Sequence, residues 1–252
     1  MGRHFEELDW QATPLGEISL RRRTDPILKV DVYEVRLGEE YLMSSLFTVA
    51  EVELSRLGLA AATGSGLDVV VGGLGLGYTA RAVLADDRVR SLQVIEALPA
   101  VIGWQRNHLL PGAAALVEDP RCRLVEADFF AAVAGPGLGA GPDARWHAIL
   151  VDIDHSPTHV LHPSHAHFYS APGLRRLADQ LHPGGVFGLW SDDPPDLDFT
   201  NLLGDVFADA HAHLVDFANP FTGGRSANTV YIARNPGPLP AEKSRKVART
   251  GP

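Results

Sequence analysis

A single cysteine, Cys122, stands in 252 residues. That scarcity excludes an internal disulfide and a cysteine-built zinc site. No uninterrupted apolar stretch approaches the roughly 18–20 residues that a membrane-spanning helix needs. The opening MGRHFEELDW lacks the apolar run of a secretory signal. The expectation is a reduced, cytoplasmic setting with no membrane partner and no metal. Low complexity and disorder are excluded in turn, because 45% of the chain is hydrophobic and 21% charged. The length suits one α/β domain of roughly 150–200 residues beside a smaller unit.

Positive charge is also short: 22 Lys and Arg stand against 31 Asp and Glu, a formal −9. The segment 234–252 runs against the trend, with five basic residues and one acid, so the rest of the chain carries −13. An acidic body repels phosphates and speaks against a nucleic-acid partner. It suits a cationic small molecule, or it serves solubility alone. The tail is rich in Pro and charge and is expected to be disordered.

Periodicity divides the remainder. From Gly16 to Met43, β-branched residues alternate with charged ones between turn signals at Gly16, Asp25-Pro26 and Gly38. That pattern predicts a small antiparallel sheet of two or three strands. TVAEVELSRLGLA (48–60) then reads as an amphipathic helix displaying Val49, Val52, Leu54, Leu57 and Leu59. From Leu67, strands alternate with helices over about 165 residues, the signature of a doubly wound, mostly parallel sheet. The Gly/Pro-rich stretch 134–144 reads as a flexible connector. The expected boundaries are 1–62 for the β-unit and linking helix, 63–233 for the Rossmann-like domain and 234–252 for the tail.

The first core strand, LDVVV, runs into GGLGLG (72–77) and straight into a helix. Glycines there let a ligand approach the backbone, and the helix start offers free N–H groups. One strand later Glu96 closes SLQVIE, where an acid typically takes ribose hydroxyls. The same glycines satisfy a dinucleotide fingerprint, so an NAD enzyme is one alternative. Asp128 in EADFF, the acids of VDID (151–154) and LHPGG (181–185) favour a sulfonium nucleoside instead.

That series resembles the class I S-adenosylmethionine-dependent methyltransferase superfamily, and within it the spermidine synthase-like branch of polyamine aminopropyltransferases. The resemblance covers about residues 67–234, and the small N-terminal β-unit fits the same branch. It implies that Gly73, Gly75 and Gly77 line the cofactor, that Glu96 binds ribose, and that Asp128 with Phe129 frames adenine. It also implies a dimer and a gate over the substrate, ending in Phe168-Tyr169.

Two departures bear on the chemistry. Spermidine synthases read GGGDGG at the glycine turn, their aspartate holding the donor's amine; here Gly75 takes that place. They read D-S-S-D-P after the fourth strand, whereas this chain reads Asp152-Ile153-Asp154-His155-Ser156-Pro157. Asp152 matches the first acid, and His155 stands where the second belongs unless Asp154 has taken over. Both departures weigh toward S-adenosylmethionine itself and methyl transfer to a small, amine-bearing molecule. Aminopropyl transfer from decarboxylated S-adenosylmethionine is the close alternative, and a non-catalytic ligand-binding or scaffold protein is the third.

Alkyl transfer from a sulfonium asks the protein to position the nucleophile and manage its proton. Asp152, Asp154 and His155 are therefore the candidate catalytic residues. Asp192, with Asp193, Asp196 and Asp198, follows the fifth strand and should share that rim; the alternative is a solvated acidic loop. By the same resemblance, His165 or Tyr169 is a candidate to touch substrate. His155, His159, His162, His165 and His167 crowd one Pro-broken segment, which defines no metal site. Trp10, Tyr41 and Met43 could wall the pocket or belong to the core.

Overall fold

A computed structural model describes residues 5–13, 16–141 and 143–236. Most of the expected basic tail (237–252) lies outside the described residues. The central feature is a seven-stranded sheet in the order β10-β11-β9-β8-β5-β6-β7. Its strands are β5 (Leu67–Gly72), β6 (Val89–Glu96), β7 (Cys122–Glu126), β8 (Trp146–Val151), β9 (Leu181–Ser191), β10 (Ala208–Asn219) and β11 (Gly224–Arg234). Pairs from β7 through β9 are parallel, while β11 runs antiparallel to both β9 and β10.

The sheet is covered on both faces, which is why its strands read as continuous apolar runs. In β5, Val69 and Val71 join one core while Val70 joins the other, the two-residue period of a strand sorting them. In β8, Ala148 and Leu150 join the first core, and Ile149 and Val151 the second. The first face carries α1 (Val49–Ala61), α2 (Tyr78–Leu84) and α3 (Pro99–Arg106); the second carries α5 (Phe129–Ala134), α6 (Ala171–Ala178) and α7 (Leu197–Val206). A short α4 (Ala114–Val117) lies beside β7.

The N-terminal sheet has four strands in sequential antiparallel order: β1 (Phe5–Thr13), β2 (Gly16–Thr24), β3 (Asp31–Leu37) and β4 (Glu40–Ser44). This exceeds the two or three that the pattern predicts. The added strand β1 has no fully buried residue, so no apolar alternation announces it. It is held by pairing with β2 and by Trp104 Nε1, which donates to Asp9 Oδ2 at 2.6 Å. Ile18, Leu20 and Val35 enter the first core and seat this sheet against the larger one.

Helix α1 packs on α2, β8, β9 and β11, so its contacts are with the large sheet. Its buried face is Ala50, Leu54, Ser55, Gly58 and Leu59, whereas Val49 and Val52 are exposed. The face is built of small residues because the helix lies close to the sheet: a Cβ on Gly58 would fall 2.6 Å from Leu150 Cδ2. The expected flexible connector is instead pinned. Leu138 is buried, its N–H donates to Gln180 Oε1 and its carbonyl accepts from Gln93 Nε2. Among the described residues no helix is long and apolar enough to cross a membrane, and no group of acids, histidines and cysteine is arranged to hold a metal ion.

Candidate functional site

The carboxyl ends of β5, β8 and β9 open into a cavity of about 530 Å³, bounded on the far side by residues 41–47 of the N-terminal unit. That volume falls in the ~300–1,000 Å³ range of small-molecule sites, and the rim is where doubly wound sheets bind ligands.

The glycine turn forms one wall. Gly73, Gly75 and Gly77 all have positive φ, a region that costs other residues energy. A Cβ on Gly73 would collide with the Asp152 carbonyl oxygen, so this glycine lets two strand ends meet. At Gly75 a Cβ would lie 2.7 Å from Met43 Sδ, so Met43 occupies the space that a side chain at 75 would need. Gly77 caps α2, whose first turn supplies Thr79.

Glu96 faces the back of the same turn. Its carboxylate accepts from Leu74 N at 3.0 Å and from Leu98 N at 2.9 Å. Burial pushes its pKa up, against the pull of those backbone N–H groups. Asp128 spends one oxygen on the α5 N-cap, accepting from Ala131 N. The Phe129 ring does not face a ligand space: it is 2% exposed and packs where a Cβ on Gly72 would reach it at 2.7 Å. Only its backbone is available to an adenine.

The opposite wall is acidic. Asp152 follows β8 and lines the cavity, its Oδ2 accepting from Thr79 Oγ1 at 2.6 Å. Desolvation pushes its carboxyl up to about 6, opposed by that hydroxyl. Glu51, in the first turn of α1, lines the same cavity, and its buried Oε2 has no hydrogen-bond partner. Burial first, and the Asp152 charge second, push Glu51 up to about 8; Asp192 adds to the effect. Asp192 lines the cavity and accepts from Asn228 Nδ2 at 2.6 Å. Among the described lining residues there is no Lys or Arg. His155, the one histidine there, lies with Nε2 3.1 Å from Glu40 Oε1.

Of the expected site residues, Gly75, Gly77, Asp152, His155 and Asp192 line the cavity; Gly73, Glu96, Asp128 and Phe129 lie behind or beside the turn, and Asp154, His165 and Tyr169 lie elsewhere. Asp154 is 1% exposed and accepts from Leu161 N at 2.7 Å, from the Tyr169 hydroxyl at 2.9 Å and, with Oδ1, meets His165 Nδ1 at 2.9 Å. His165 stacks on Phe130 with ring centroids 4.1 Å apart. Burial, then the Asp154 charge, holds the Tyr169 phenol well above its usual range. Asp154, His165 and Tyr169 thus bind one another beneath the loop, and none lines the cavity. This corrects the expectation that Asp154 handles a substrate proton and that His165 and Tyr169 touch substrate. The physical reason is that Asp154 has no free oxygen to offer.

Glu51, Thr79, Trp190 and Asn228 complete the site, and sequence reasoning passes over all four. Glu51 carried a usable signal: it sits three, four and seven residues before Leu54, Ser55 and Gly58, on the helix's buried stripe. An acid on such a stripe is costly unless it faces a cavity or a partner.

No family model matches the chain. Polyamine aminopropyltransferase 2 of Pseudomonas aeruginosa is 27% identical over 156 residues, which cover 58% of this chain and 41% of that protein. The match thus spans about two fifths of the relative's length. Among solved structures, spermidine synthase from Thermotoga maritima superposes with a TM-score of 0.69 at 18% identity, over 91% of this chain and 72% of that one. A spermidine synthase bound to the transition-state analogue AdoDATO gives 0.69 at 19%, over 91% and 73%. Human methyltransferase-like protein 13 with SAH gives 0.52 at 20%, over 77% and 79%. The fold is that of the spermidine synthase-like class I methyltransferases: a seven-stranded, mostly parallel sheet preceded by a small antiparallel one.

Proposed function

We propose that the protein transfers an alkyl group from an S-adenosyl donor to a small amine, with decarboxylated S-adenosylmethionine as donor and aminopropyl as the group moved. The observation that carries this reading is the cavity itself, which sets three carboxylates and no Lys or Arg beside a glycine turn. Such a wall attracts a cation and offers a base. The aminopropyltransferase relative and the spermidine synthase neighbours give this donor more support than the methyl donor that the departures at Gly75 and His155 suggest.

The residues present fit a nucleoside. The turn at 72–77 is bare of side chains on its glycines; in this reading ribose falls to Glu96, whose two oxygens each accept one backbone N–H behind the turn, and adenine to Asp128 with the Phe129 backbone after β7. Bound there, the donor's sulfonium supplies an activated carbon. The protein's own part is to orient and deprotonate the amine. In this reading Asp152 takes its proton, which is supported by the Thr79 hydroxyl fixing one carboxylate oxygen and leaving the other for the amine. A carboxyl pushed up to about 6 is a stronger base than an ordinary one and is still ionised at neutral pH.

Methyl transfer from intact S-adenosylmethionine is the second reading, favoured by Met43 filling the space beside Gly75 where the resembled enzymes carry an acid. Calorimetry with both donors, followed by mass analysis of products formed with 1,4-diaminobutane, tests the choice. Tenfold tighter binding of the decarboxylated donor, about 1.4 kcal/mol, and a product heavier by an aminopropyl group are expected. Tighter binding of the intact donor with a methylated product would replace the first reading by the second. Failure to bind either would remove both.

A further inference from the structure

The two acids that spermidine synthases use around their amines are missing here from the glycine turn and from the fourth position of the loop after β8, where Gly75 and His155 stand. The cavity nevertheless holds a carboxylate that neither motif contains. Glu51 enters from α1 and lines the cavity with Asp152 and Asp192, its backbone carbonyl near the Thr79 hydroxyl that Asp152 also meets. One of its oxygens is buried without a hydrogen-bond partner, and no Lys or Arg stands among the described lining residues. A carboxyl desolvated without a partner is driven to its neutral form, and a cation arriving beside it is what would favour the charged form.

We propose that Glu51 is the anionic seat for the positively charged head of the acceptor amine, supplying from α1 the contact that the glycine turn and the loop after β8 do not. This rests on the reading of the cavity as an amine site. The titratable groups facing Glu51 are Tyr41 from β4, Tyr78 from α2, Asp152 and His155 after β8, and Asp192 after β9. On its own helix, Glu53 is turned away and paired with Arg56. Of these neighbours, the Asp152 and Asp192 charges hold a proton on Glu51. An ammonium group entering the cavity offsets them, and the Glu51 proton leaves to solvent as the ion pair forms.

Calorimetric titration of 1,4-diaminobutane into the protein saturated with 5′-methylthioadenosine, at pH 8 in phosphate and in Tris, measures affinity and proton release together. At that pH Asp152 is already ionised, so release reports on Glu51. Wild type should bind the diamine and release a fraction of a proton. Glu51→Gln should bind at least tenfold more weakly and release none, while Glu51→Asp should retain the release. Unchanged affinity and release in a folded Glu51→Gln variant would overturn the proposal and leave the amine site standing. Should that variant not fold, wild type decides alone: proton release absent at every pH from 6 to 9 would overturn it. Wild type that binds no diamine would overturn the proposal and the amine site together.

Discussion

Asp154 and Asp152 are two residues apart, each with a carboxylate withdrawn from bulk water, but the protein surrounds them differently. Asp154 accepts from a backbone N–H and a phenol and meets an imidazole, so its charge is fully hydrogen-bonded. Asp152 receives one hydroxyl, and Glu51 beside it in the cavity keeps an oxygen with no partner. The satisfied carboxylate ties the loop 154–169 to the sheet. The less satisfied pair is the one whose pKa values are raised, since burial with few partners lifts a carboxyl's pKa toward neutrality, and it is this pair to which the proposed function gives the proton and the amine. On the proposed function, partner count, rather than position in a motif, separates the structural acid from the proposed functional ones.

The largest effect expected on this contrast is kinetic. Asp152→Asn should lower turnover of donor and 1,4-diaminobutane by about 10²–10⁴-fold, the usual range for a lost general base. Steady-state assays check it, and undiminished turnover would collapse the distinction from the Asp152 side. Next in size, Asp154→Ala should cost about 3–5 kcal/mol of folding free energy, because it strands a buried phenol, an imidazole and an N–H. Urea unfolding measures this. A loss below 1 kcal/mol would show that the satisfied cluster is not what holds the loop.

A third change probes the boundary between the two walls. Gly75→Asp would restore the acid that the resembled enzymes carry, yet the backbone there has φ of +48° and Met43 Sδ fills the adjoining space. A cost of about 1–3 kcal/mol is expected from strain and overpacking. Met43→Ala in the same chain should return part of it in thermal melts. If Gly75→Asp alone is neutral, Met43 does not bar an acid from the turn.

The contrast also explains what could be read from sequence. Alternation of strand and helix is written in runs such as Leu67–Gly72, whose valines serve both faces of one sheet, so the large fold is legible. The glycine turn and Asp152 are legible too, because both follow directly from a strand end. β1 escapes notice because its residues are polar or only partly buried along its whole length. Glu51 escapes because the helix face it shares mixes Leu54 and Leu59 with Ala50, Ser55 and Gly58, and a count of large apolar residues overlooks the small ones and takes in exposed Val49 and Val52. Asp154 and Asp152 look alike in sequence because hydrogen-bond partners 7, 11 and 15 residues downstream have no spacing rule in a Pro-broken loop.

The smallest expected effect is on stability against pH, and it isolates Glu51 from chemistry altogether. Its carboxyl titrates higher in the folded protein, about 8, than its ordinary value of 4.5. Between those values the folded state therefore binds more protons than the unfolded one, and stability falls as pH rises through the window. Glu51→Gln removes this loss, so its advantage over wild type should be near zero at pH 4 and grow steadily as pH rises to 8. An Asp154→Asn variant should instead be less stable than wild type, since it leaves donors that the carboxylate satisfies without an acceptor. Denaturant unfolding at three pH values checks both. A Glu51→Gln variant that gains nothing at pH 8 would mean the unpartnered oxygen costs nothing, and the line between satisfied and waiting acids would have to be drawn elsewhere.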